Sequence, residues 1–170
     1  MDSDLVDIVD DTDQVIGVLT RKEMREKILI HRTSHFFLFN EKNELFITKR
    51  SKNKDYAPLK WEIGQGGVLD SKETYDNCAM RELSEELGIN SKLEFLFKMY
   101  FEDKKTRLFA SVYNAISNLT PKLQKEEIHE GRFILLDELS LWIYKNPDDF
   151  TPDSLAIFLK YKDDFLSDPV

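Results

Sequence analysis

Three glutamates near the middle of the chain have a spacing at which they could bind one metal ion together. Glu82, Glu85 and Glu86 lie three and four residues apart, so on an α-helix, which turns by about 100° per residue, they share an arc roughly 100° wide. Each like-charged pair at this spacing destabilises a helix by about 0.2–0.5 kcal/mol. A divalent cation would compensate that repulsion, because hard cations take carboxylate oxygens as ligands. A solvated acidic helix face is the alternative interpretation.

The glutamates belong to a longer pattern, which spans residues 67–89 and reads GVLDSKETYDNCAMRELSEELGI. At average residue usage its seven fixed residue types would coincide by chance at roughly one start site in a hundred million. The segment resembles the Nudix box, in which a glycine, a glutamate and an R-E-aliphatic-x-E-E-x-G-aliphatic run stand at set distances. The matching residues are Gly67, Glu73, Arg81, Glu82, Leu83, Glu85, Glu86, Gly88 and Ile89.

This resemblance implies a fold, a reaction and a cofactor. The fold is α+β, with a mixed β-sheet sandwiched between helices (α/β/α). The reaction is hydrolysis of a diphosphate linkage by water, with Mg²⁺ or Mn²⁺ as cofactor. The three glutamates are then both catalytic residues and metal ligands, joined by a backbone carbonyl of Gly66 or Gly67, two glycines that are expected to turn the chain tightly before the helix. Structural roles fall to Gly67, Glu73, Arg81 and Gly88.

Charged residues outside the box are further candidates for the site. In relatives of this fold, a loop glutamate in the region before the last predicted strand can act as an extra metal ligand or as the base. Here that implies Glu127 as first choice and Glu130 as second, with a solvated acidic loop as the alternative. The candidate phosphate-binding cations are Arg50, Lys52, Lys54 and Arg107, each of which is otherwise a surface charge.

Two helices must position these residues. Thr20 and Glu23 form a capping-box pattern at the start of a helix predicted over residues 21–30. The box glutamates lie on a helix predicted over residues 71–87, where Gly88 suits the C-terminal end.

The remaining elements complete a mixed sheet with helices at its end. Asp137 is expected to cap a helix that ends before Pro147, and Thr151 with Pro152 to begin a last helix that ends near residue 165. Strands are predicted over residues 5–9, 15–19, 35–39, 45–50, 61–67, 93–101, 106–116 and 131–136.

The first half of the chain carries a second resemblance. Residues 6–51 are similar to the N-terminal part of isopentenyl-diphosphate isomerases, a branch of the same superfamily, in the V-D-x-x-(N/D) strand and the His-Arg pair before F-x-L-F-N. They are more similar to poorly characterised bacterial Nudix hydrolases, which share Y-F-E-D-K-x-x-R at 100–107 and F-T-P-D-S-L at 150–155. Gly66 and Val68 stand where the isomerase needs a catalytic cysteine and a metal-binding histidine, which disfavours isomerisation.

Three functions stay open at this point. The intact box favours a hydrolase that acts on a small nucleoside-diphosphate-type substrate over an isomerase-like enzyme or a non-catalytic nucleotide-binding module. His31, at the position of an isomerase histidine, is expected to be a polar residue at a strand edge. Cys78, the only cysteine, is expected to be a small packed residue.

Length and charge set the outer limits. A chain of 170 residues without repeats or linkers predicts one domain over 1–170. The net charge of −8 argues against a nucleic-acid polymer as partner and leaves a small phosphorylated substrate as the expected one. A single cysteine, with no signal or membrane segment in the sequence, predicts a cytoplasmic protein without a membrane partner. The oligomeric state stays open.

Overall fold

The computed structural model describes residues 4–166 and shows a mixed β-sheet with helices packed on both faces. This confirms the predicted α+β class. Within these residues the helices are α1 (Arg21–Glu26), α2 (Tyr75–Leu87), α3 (Leu136–Lys145) and α4 (Pro152–Tyr161), the last continued by a π-helical turn (Lys162–Leu166). The strands are β1 (Leu5–Val9), β2 (Val15–Thr20), β3 (Ile30–Phe39), β4 (Glu44–Arg50), β5 (Trp61–Ile63), β6 (Gln65–Val68), β7 (Glu94–Glu102), β8 (Arg107–Ile116) and β9 (Ile128–Leu135).

Strand β3 is the centre of the sheet. It runs parallel to β8 along its whole length, and its residues 33–36 pair antiparallel with residues 65–68 of β6. On one side β4 pairs with β5 and β9, and on the other β8 pairs with β7. The β1–β2 hairpin joins β3 where Ile8 lies opposite His31. The box glycines of β6 are therefore held directly against the central strand.

Each face of the sheet has its own apolar core. The core beneath α2 includes Phe36, Leu38, Phe46, Ala79, Leu83, Leu87 and Ile89. The core beneath α3 and α4 includes Phe37, Leu45, Ile47, Ile63, Leu139, Phe150, Ile157 and Phe158. Alternate residues of β3 supply both cores, as expected for a strand whose successive side chains point to opposite faces.

The start of the central strand differs from the prediction. Helix α1 ends at Glu26 instead of near residue 30, because Ile28 adopts a φ of 51° that breaks the helix. Strand β3 then begins at Ile30, five residues before the apolar run from which a strand was predicted.

Polar residues near the start of β3 are the reason that the apolar pattern did not predict this part of the strand. Thr33 is buried, but its hydroxyl donates to the Phe109 carbonyl oxygen at 3.2 Å, so its polar group is satisfied inside the sheet. His31, which was expected at a strand edge, lies between β1 and β8 and is only 1% exposed. That prediction was wrong.

Helix α2 begins at Tyr75, later than the predicted residue 71. The segment before it is held by Asp7 of β1, which accepts from the Ser71 hydroxyl at 2.7 Å and from the Lys72 amide at 3.1 Å. Thr74 then caps the helix by accepting a first-turn backbone amide at 3.2 Å. Contacts with the N-terminal strand thus set the start of the box helix.

Three predicted helix ends are confirmed. Thr20 and Glu23 make both hydrogen bonds of a capping box at α1. Gly88 ends α2 with a φ of 64°, a conformation that favours glycine. Helix α4 begins at Pro152, directly after Thr151.

The region of α3 and β9 departs from the prediction. Asp137 does not cap α3, which begins one residue earlier and has Leu135 at its N-cap without a side-chain hydrogen bond. Strand β9 begins at Ile128 instead of residue 131, because it continues its pairing with β4. No helix within residues 4–166 is long and apolar enough to cross a membrane.

Candidate active site

Helix α2 buries more of its acidic face than a solvated surface would. The three apolar residues that were predicted to pack on the sheet are fully buried. The Glu85 side chain is 52% exposed, whereas that of Glu82 is 13% exposed and Glu86 as a residue only 7%. Two of the three carboxylates are therefore withdrawn from water, which burial penalises unless they find partners. The buried apolar residues are Ala79, Leu83 and Leu87.

Gly66 and Gly67 bring the backbone of β6 against β3 and the box helix. Both lie within an extended strand, so the predicted tight turn at this pair was wrong. A Cβ at Gly66 would lie 1.9 Å from the Ser34 carbonyl oxygen, and one at Gly67 would lie 2.2 Å from Glu82 Oε1. Glycine is needed at 66, where a side chain would meet the backbone of β3, whereas a side chain at 67 would displace the Glu82 carboxylate. Cys78 is fully buried nearby, as predicted, with Sγ 3.6 Å from the Gly67 carbonyl oxygen.

Arg81 connects the loop before α2 to the glutamates. Its Nε and Nη2 donate to the two carboxylate oxygens of Glu73 at 2.8 and 2.9 Å, and these bonds raise the pKa of Arg81. Its Nη1 donates to Glu82 Oε1 at 2.8 Å and to Glu85 Oε2 at 3.2 Å. One guanidinium therefore engages two of the three box glutamates.

Glu86 is the carboxylate left without a protein cation bonded to it. Its Oε2 atom is buried and has no hydrogen-bond partner among the described residues. Burial raises the pKa of Glu86 well above its ordinary value, and the carboxylates of Glu82 and Glu62 raise it further. Burial also raises the pKa of Glu82, against the effect of Arg81. The protein thus holds two close carboxylates whose charge its own cations only partly compensate.

These glutamates line a polar cavity of about 230 Å³, which we call the carboxylate cavity. Lys54 and Glu127 also line it and form an ion pair. As arranged, no three His, Cys, Asp or Glu side chains in residues 4–166 stand close enough to hold a metal ion. The cavity is lined by Asp4, Arg21, Lys54, Gly66, Gly67, Val68, Asp70, Arg81, Glu82, Glu85, Glu86, Gln124 and Glu127.

The donor set nevertheless fits Mg²⁺ or Mn²⁺ in its chemistry. The three box glutamates offer only oxygen ligands, which hard divalent cations prefer. The unpartnered Glu86 Oε2 is a buried acceptor whose lost hydration a cation would restore. Because Arg81 engages Glu82 and Glu85 from the side of Glu73, their carboxylates would have to turn in order to share a cation with Glu86.

A smaller chamber of about 40 Å³, which we call the inner chamber, shares Gly66 and Gly67 with the carboxylate cavity. Arg50 lies here rather than in the carboxylate cavity. It pairs with Glu62 at 3.1 Å and donates from Nε to the Tyr56 carbonyl oxygen at 3.0 Å. Burial acts to lower the pKa of Arg50, but Glu62 raises it above the ordinary value. This predicted phosphate-binding residue therefore already has protein partners.

The other predicted site residues lie outside both cavities. Glu130 is on β9 and lies 3.8 Å from Lys49 in an ion pair. Arg107 begins β8 and pairs with Glu102 at 3.5 Å. Lys52 is exposed in the loop after β4. Of the charged candidates outside the box, only Lys54 and Glu127 meet the box glutamates in the carboxylate cavity.

A larger open groove lies on another part of the molecule. It has a volume of about 500 Å³ and lies beside residues 117–121, with Phe46 and Phe133 in its wall. None of the predicted site residues line it. The chemistry therefore points to the smaller polar cavity in place of the larger groove.

Gln124 and Arg21 are among the cavity residues that were not predicted from the sequence. The Gln124 amide donates to the Glu86 carbonyl oxygen at 3.1 Å and so joins the loop before β9 to the box helix. Arg21 reaches the cavity from α1. The capping-box signal beside Arg21 is local, and nothing in its spacing relates it to residues 66–86.

Comparison with known proteins decides the family. The NUDIX domain family matches residues 29–154. The chain belongs to the Nudix family. An uncharacterized Nudix hydrolase from Pseudomonas aeruginosa is 37% identical over 163 residues, covering 95% of each chain. The uncharacterized Nudix hydrolase YfcD from Escherichia coli is 31% identical over 160 residues, covering 91% of this chain and 86% of YfcD. This Nudix protein is accordingly an enzyme of the hydrolase class that acts on pyrophosphate bonds.

Solved structures agree with this assignment. A crystal structure from Deinococcus radiodurans matches with a TM-score of 0.79 and 25% identity, covering 92% of this chain and 98% of the other. The Nudix domain of NrtR from Shewanella oneidensis, crystallised with ADP-ribose, matches with a TM-score of 0.61 and 16% identity, covering 85% and 98%. The second likeness shows the fold alone. The predicted family is thus confirmed, and a specific link to isopentenyl-diphosphate isomerases stays a prediction.

Proposed function

We propose that this Nudix hydrolase cleaves the diphosphate linkage of a small nucleoside-diphosphate-type molecule with the help of Mg²⁺ or Mn²⁺. The observation that carries the proposal is the buried, unpartnered Oε2 of Glu86, which lines a polar cavity together with Glu82 and Glu85. Such a group is expected where a cation completes the site. We place residues 1–170 in one such domain and, because of the single cysteine, in the cytoplasm.

In this mechanism Glu82, Glu85 and Glu86 would hold the cation, and a backbone carbonyl of Gly66 or Gly67 would be a further ligand. A bound divalent cation would neutralise diphosphate charge and lower the pKa of a water molecule. If Glu82 and Glu85 turned away from Arg81 Nη1 to the cation, Arg81 would still keep its two bonds with Glu73.

Glu127 is our candidate for the base. The water oxygen forms a bond to one phosphorus, the bridging P–O bond breaks, and the water proton passes to the Glu127 carboxylate. In the structure that carboxylate is paired with Lys54, and both residues line the cavity. A substrate phosphate that draws Lys54 to itself would release Glu127 to act on the water.

The space at Gly66 supports hydrolysis over isomerisation. Gly66 occupies the position of the cysteine that the isomerase needs, and a Cβ there would lie 1.9 Å from the Ser34 carbonyl oxygen. No side chain can therefore replace the missing acid at this position without moving β6 from β3. On incubation with isopentenyl diphosphate in D₂O, we expect no deuterium at the allylic carbons.

The test is a substrate screen with and without metal. Purified protein with Mg²⁺ or Mn²⁺ is assayed against ADP-ribose, other nucleotide sugars, dinucleoside polyphosphates, coenzyme A, NAD, nucleoside triphosphates and prenyl diphosphates. We expect hydrolysis of at least one of them, its loss in excess EDTA and its return with added metal. Cleavage in H₂¹⁸O should place the label on phosphate. Full activity in excess chelator would contradict the mechanism, and binding without turnover would favour a nucleotide-binding module instead.

A further inference from the structure

Arg21 is a cation of the carboxylate cavity whose guanidinium is bonded to no side chain among residues 4–166. Its side chain is half-buried and lines both the carboxylate cavity and the inner chamber. Within residues 4–166 it makes no side-chain hydrogen bond and no ion pair. The other cavity cations are engaged, since Arg81 binds Glu73 and Lys54 binds Glu127. A guanidinium has five hydrogen-bond donors and no acceptor, so this half-buried group is available to bind an acceptor from outside the protein.

The N-terminal segment holds Arg21 firmly in this position. The Arg21 amide donates to the Asp4 carbonyl oxygen at 2.7 Å, and the residue begins a helix closed by a capping box. Asp7 in β1 is bonded to the loop before α2, as described above. Asp13, in the β1–β2 turn, accepts from Arg32 Nε at 2.7 Å and from the Tyr75 hydroxyl at 2.9 Å. These contacts fix α1 relative to the box helix.

The expected partner of Arg21 is an anion from outside the protein, because the nearby Asp55 carboxylate is already paired with Arg25 at 3.5 Å. Arg21 is near enough to Glu82 to stabilise its charged form, but Glu82 bonds to Arg81 instead. A bound divalent cation would repel Arg21 unless an anion lay between them. A phosphoryl group has oxygens enough to face a metal on one side and the planar guanidinium fork on the other.

We propose that Arg21 binds a phosphoryl group of the diphosphate substrate, and thereby that the segment before the family-matched residues 29–154 completes the active site. The proposal rests on the proposed function, because it places the diphosphate in the carboxylate cavity. It makes residue 21, which lies before the matched residues 29–154, a determinant of substrate binding.

The experiment measures two dissociation constants, and the proposal predicts that loss of Arg21 raises one of them and leaves the other unchanged or lower. Calorimetric titrations give the Kd of Mg²⁺ alone and the Kd of methylenediphosphonate, a non-hydrolysable diphosphate, in saturating Mg²⁺. The variants are Arg21→Ala, Arg21→Lys and the matched control Lys22→Ala. Lys22 is the next residue of α1, is exposed, and lies 3.9 Å from Glu26 in an ion pair away from the cavity.

Arg21→Ala should weaken methylenediphosphonate binding roughly tenfold or more, because a charge-assisted bond to a phosphate is lost. The same change should leave Mg²⁺ binding unchanged or tighter, by up to about fivefold, because a neighbouring positive charge is gone. Arg21→Lys should keep the Mg²⁺ Kd and lose part of the diphosphonate affinity, since it keeps the charge without the fork. Lys22→Ala should change neither value.

Two results would overturn the assignment of Arg21. One is a diphosphonate Kd in Arg21→Ala equal to that in Lys22→Ala. The other is an equal loss of Mg²⁺ and diphosphonate binding in both Arg21 variants, which is the result of a structural role. Wild-type protein that binds methylenediphosphonate but hydrolyses nothing in the screen would count against the proposed function alone.

Discussion

The carboxylate cavity and the inner chamber lie side by side and share Gly66 and Gly67, but they accommodate buried charge in different ways. In the inner chamber the Arg50 guanidinium is matched by Glu62 at 3.1 Å. In the carboxylate cavity Glu86 is equally withdrawn from water, yet its Oε2 has no hydrogen-bond partner within residues 4–166. A buried ion pair is explained by the fold alone. A buried carboxylate without a partner instead indicates that a ligand from outside the chain completes the site.

This difference between the two regions indicates which buried charges serve the fold and which serve function. Breaking a matched buried pair leaves one charge stranded and destabilises the protein, so such a pair constrains the fold. A buried charge without a partner destabilises the folded protein, so its presence indicates that the group has a function. We therefore expect substitutions in the two regions to affect different quantities, catalysis in one and stability in the other.

The largest effect should come from Glu86→Gln. It removes a proposed metal ligand, and we expect kcat to fall by about 10³-fold or more, the order seen when one preorganised electrostatic group is lost. The free energy of unfolding without metal should stay equal or rise, because a buried carboxylate and its repulsion with Glu82 are removed. Steady-state kinetics and denaturant unfolding in EDTA measure the two quantities.

Glu85→Gln is the matched comparison. It also removes a proposed ligand and should lower kcat by several orders of magnitude, but Glu85 is half exposed, so apo-protein stability should change little. A clear loss of apo-protein stability in both variants would show that these carboxylates serve the fold, and the contrast between the two regions would fail.

The second effect concerns the matched pair. Arg50→Met should destabilise the protein by about 3–5 kcal/mol, because the Glu62 carboxylate is left buried and unpaired. The double variant Arg50→Met with Glu62→Leu should recover most of that loss, since neither charge remains. Urea unfolding of the three proteins at one pH gives the comparison.

The same double variant tests whether Arg50 binds substrate as the sequence suggested. If its role is confined to the pair with Glu62, the KM of the double variant should stay within a fewfold of the wild-type value. A KM raised tenfold or more in a protein of restored stability would show that Arg50 contributes to substrate binding.

Local spacing was enough to predict the core of the site. The box helix, its apolar face and its C-terminal Gly88 follow from side-chain period and capping preference within one segment of the chain. The same local rules found the capping box at α1. The family resemblance then supplied the fold, which the structure confirms.

Residue positions that depend on long-range pairing could not be predicted in this way. Arg50 looks like a free cation in the sequence, but the β4–β5 register brings Glu62 beside it. Arg21 looks like part of a helix start, and only the docking of the β1–β2 hairpin carries it to the cavity. A turn was predicted at Gly66 and Gly67 because the sequence alone does not show why glycine is needed there. The reason is the 1.9 Å approach of a Cβ at Gly66 to the Ser34 carbonyl oxygen, which appears only when β6 pairs with β3.

The smallest of these effects should appear as a dependence of stability on pH. His31 is buried in β3, where its Nδ1 lies 3.1 Å from the Leu29 carbonyl oxygen and its Nε2 has no partner in the part of the chain that the structure describes. Burial lowers the pKa of His31 from 6.5 to about 4, and the nearby Arg25 charge adds to that shift. Like Glu86, this side chain lacks a partner for one buried atom, but its ordinary pKa already leaves it mostly neutral at pH 7.

The sign follows from proton binding. Between about pH 4 and 6.5 the unfolded chain binds more protons at residue 31 than the folded one, so His31 stabilises the fold fully above 6.5 and loses that contribution as the pH falls. Between pH 7.5 and 5 the loss should be about 2 kcal/mol. His31→Gln cannot acquire this charge, so its free energy of unfolding should fall less than that of the wild type over the same interval. Urea unfolding of both proteins at the two pH values measures the difference. Parallel losses would mean that the histidine is protonated without penalty in the fold, and the interior around β3 would then have to supply the acceptor that His31 Nε2 lacks in this structure.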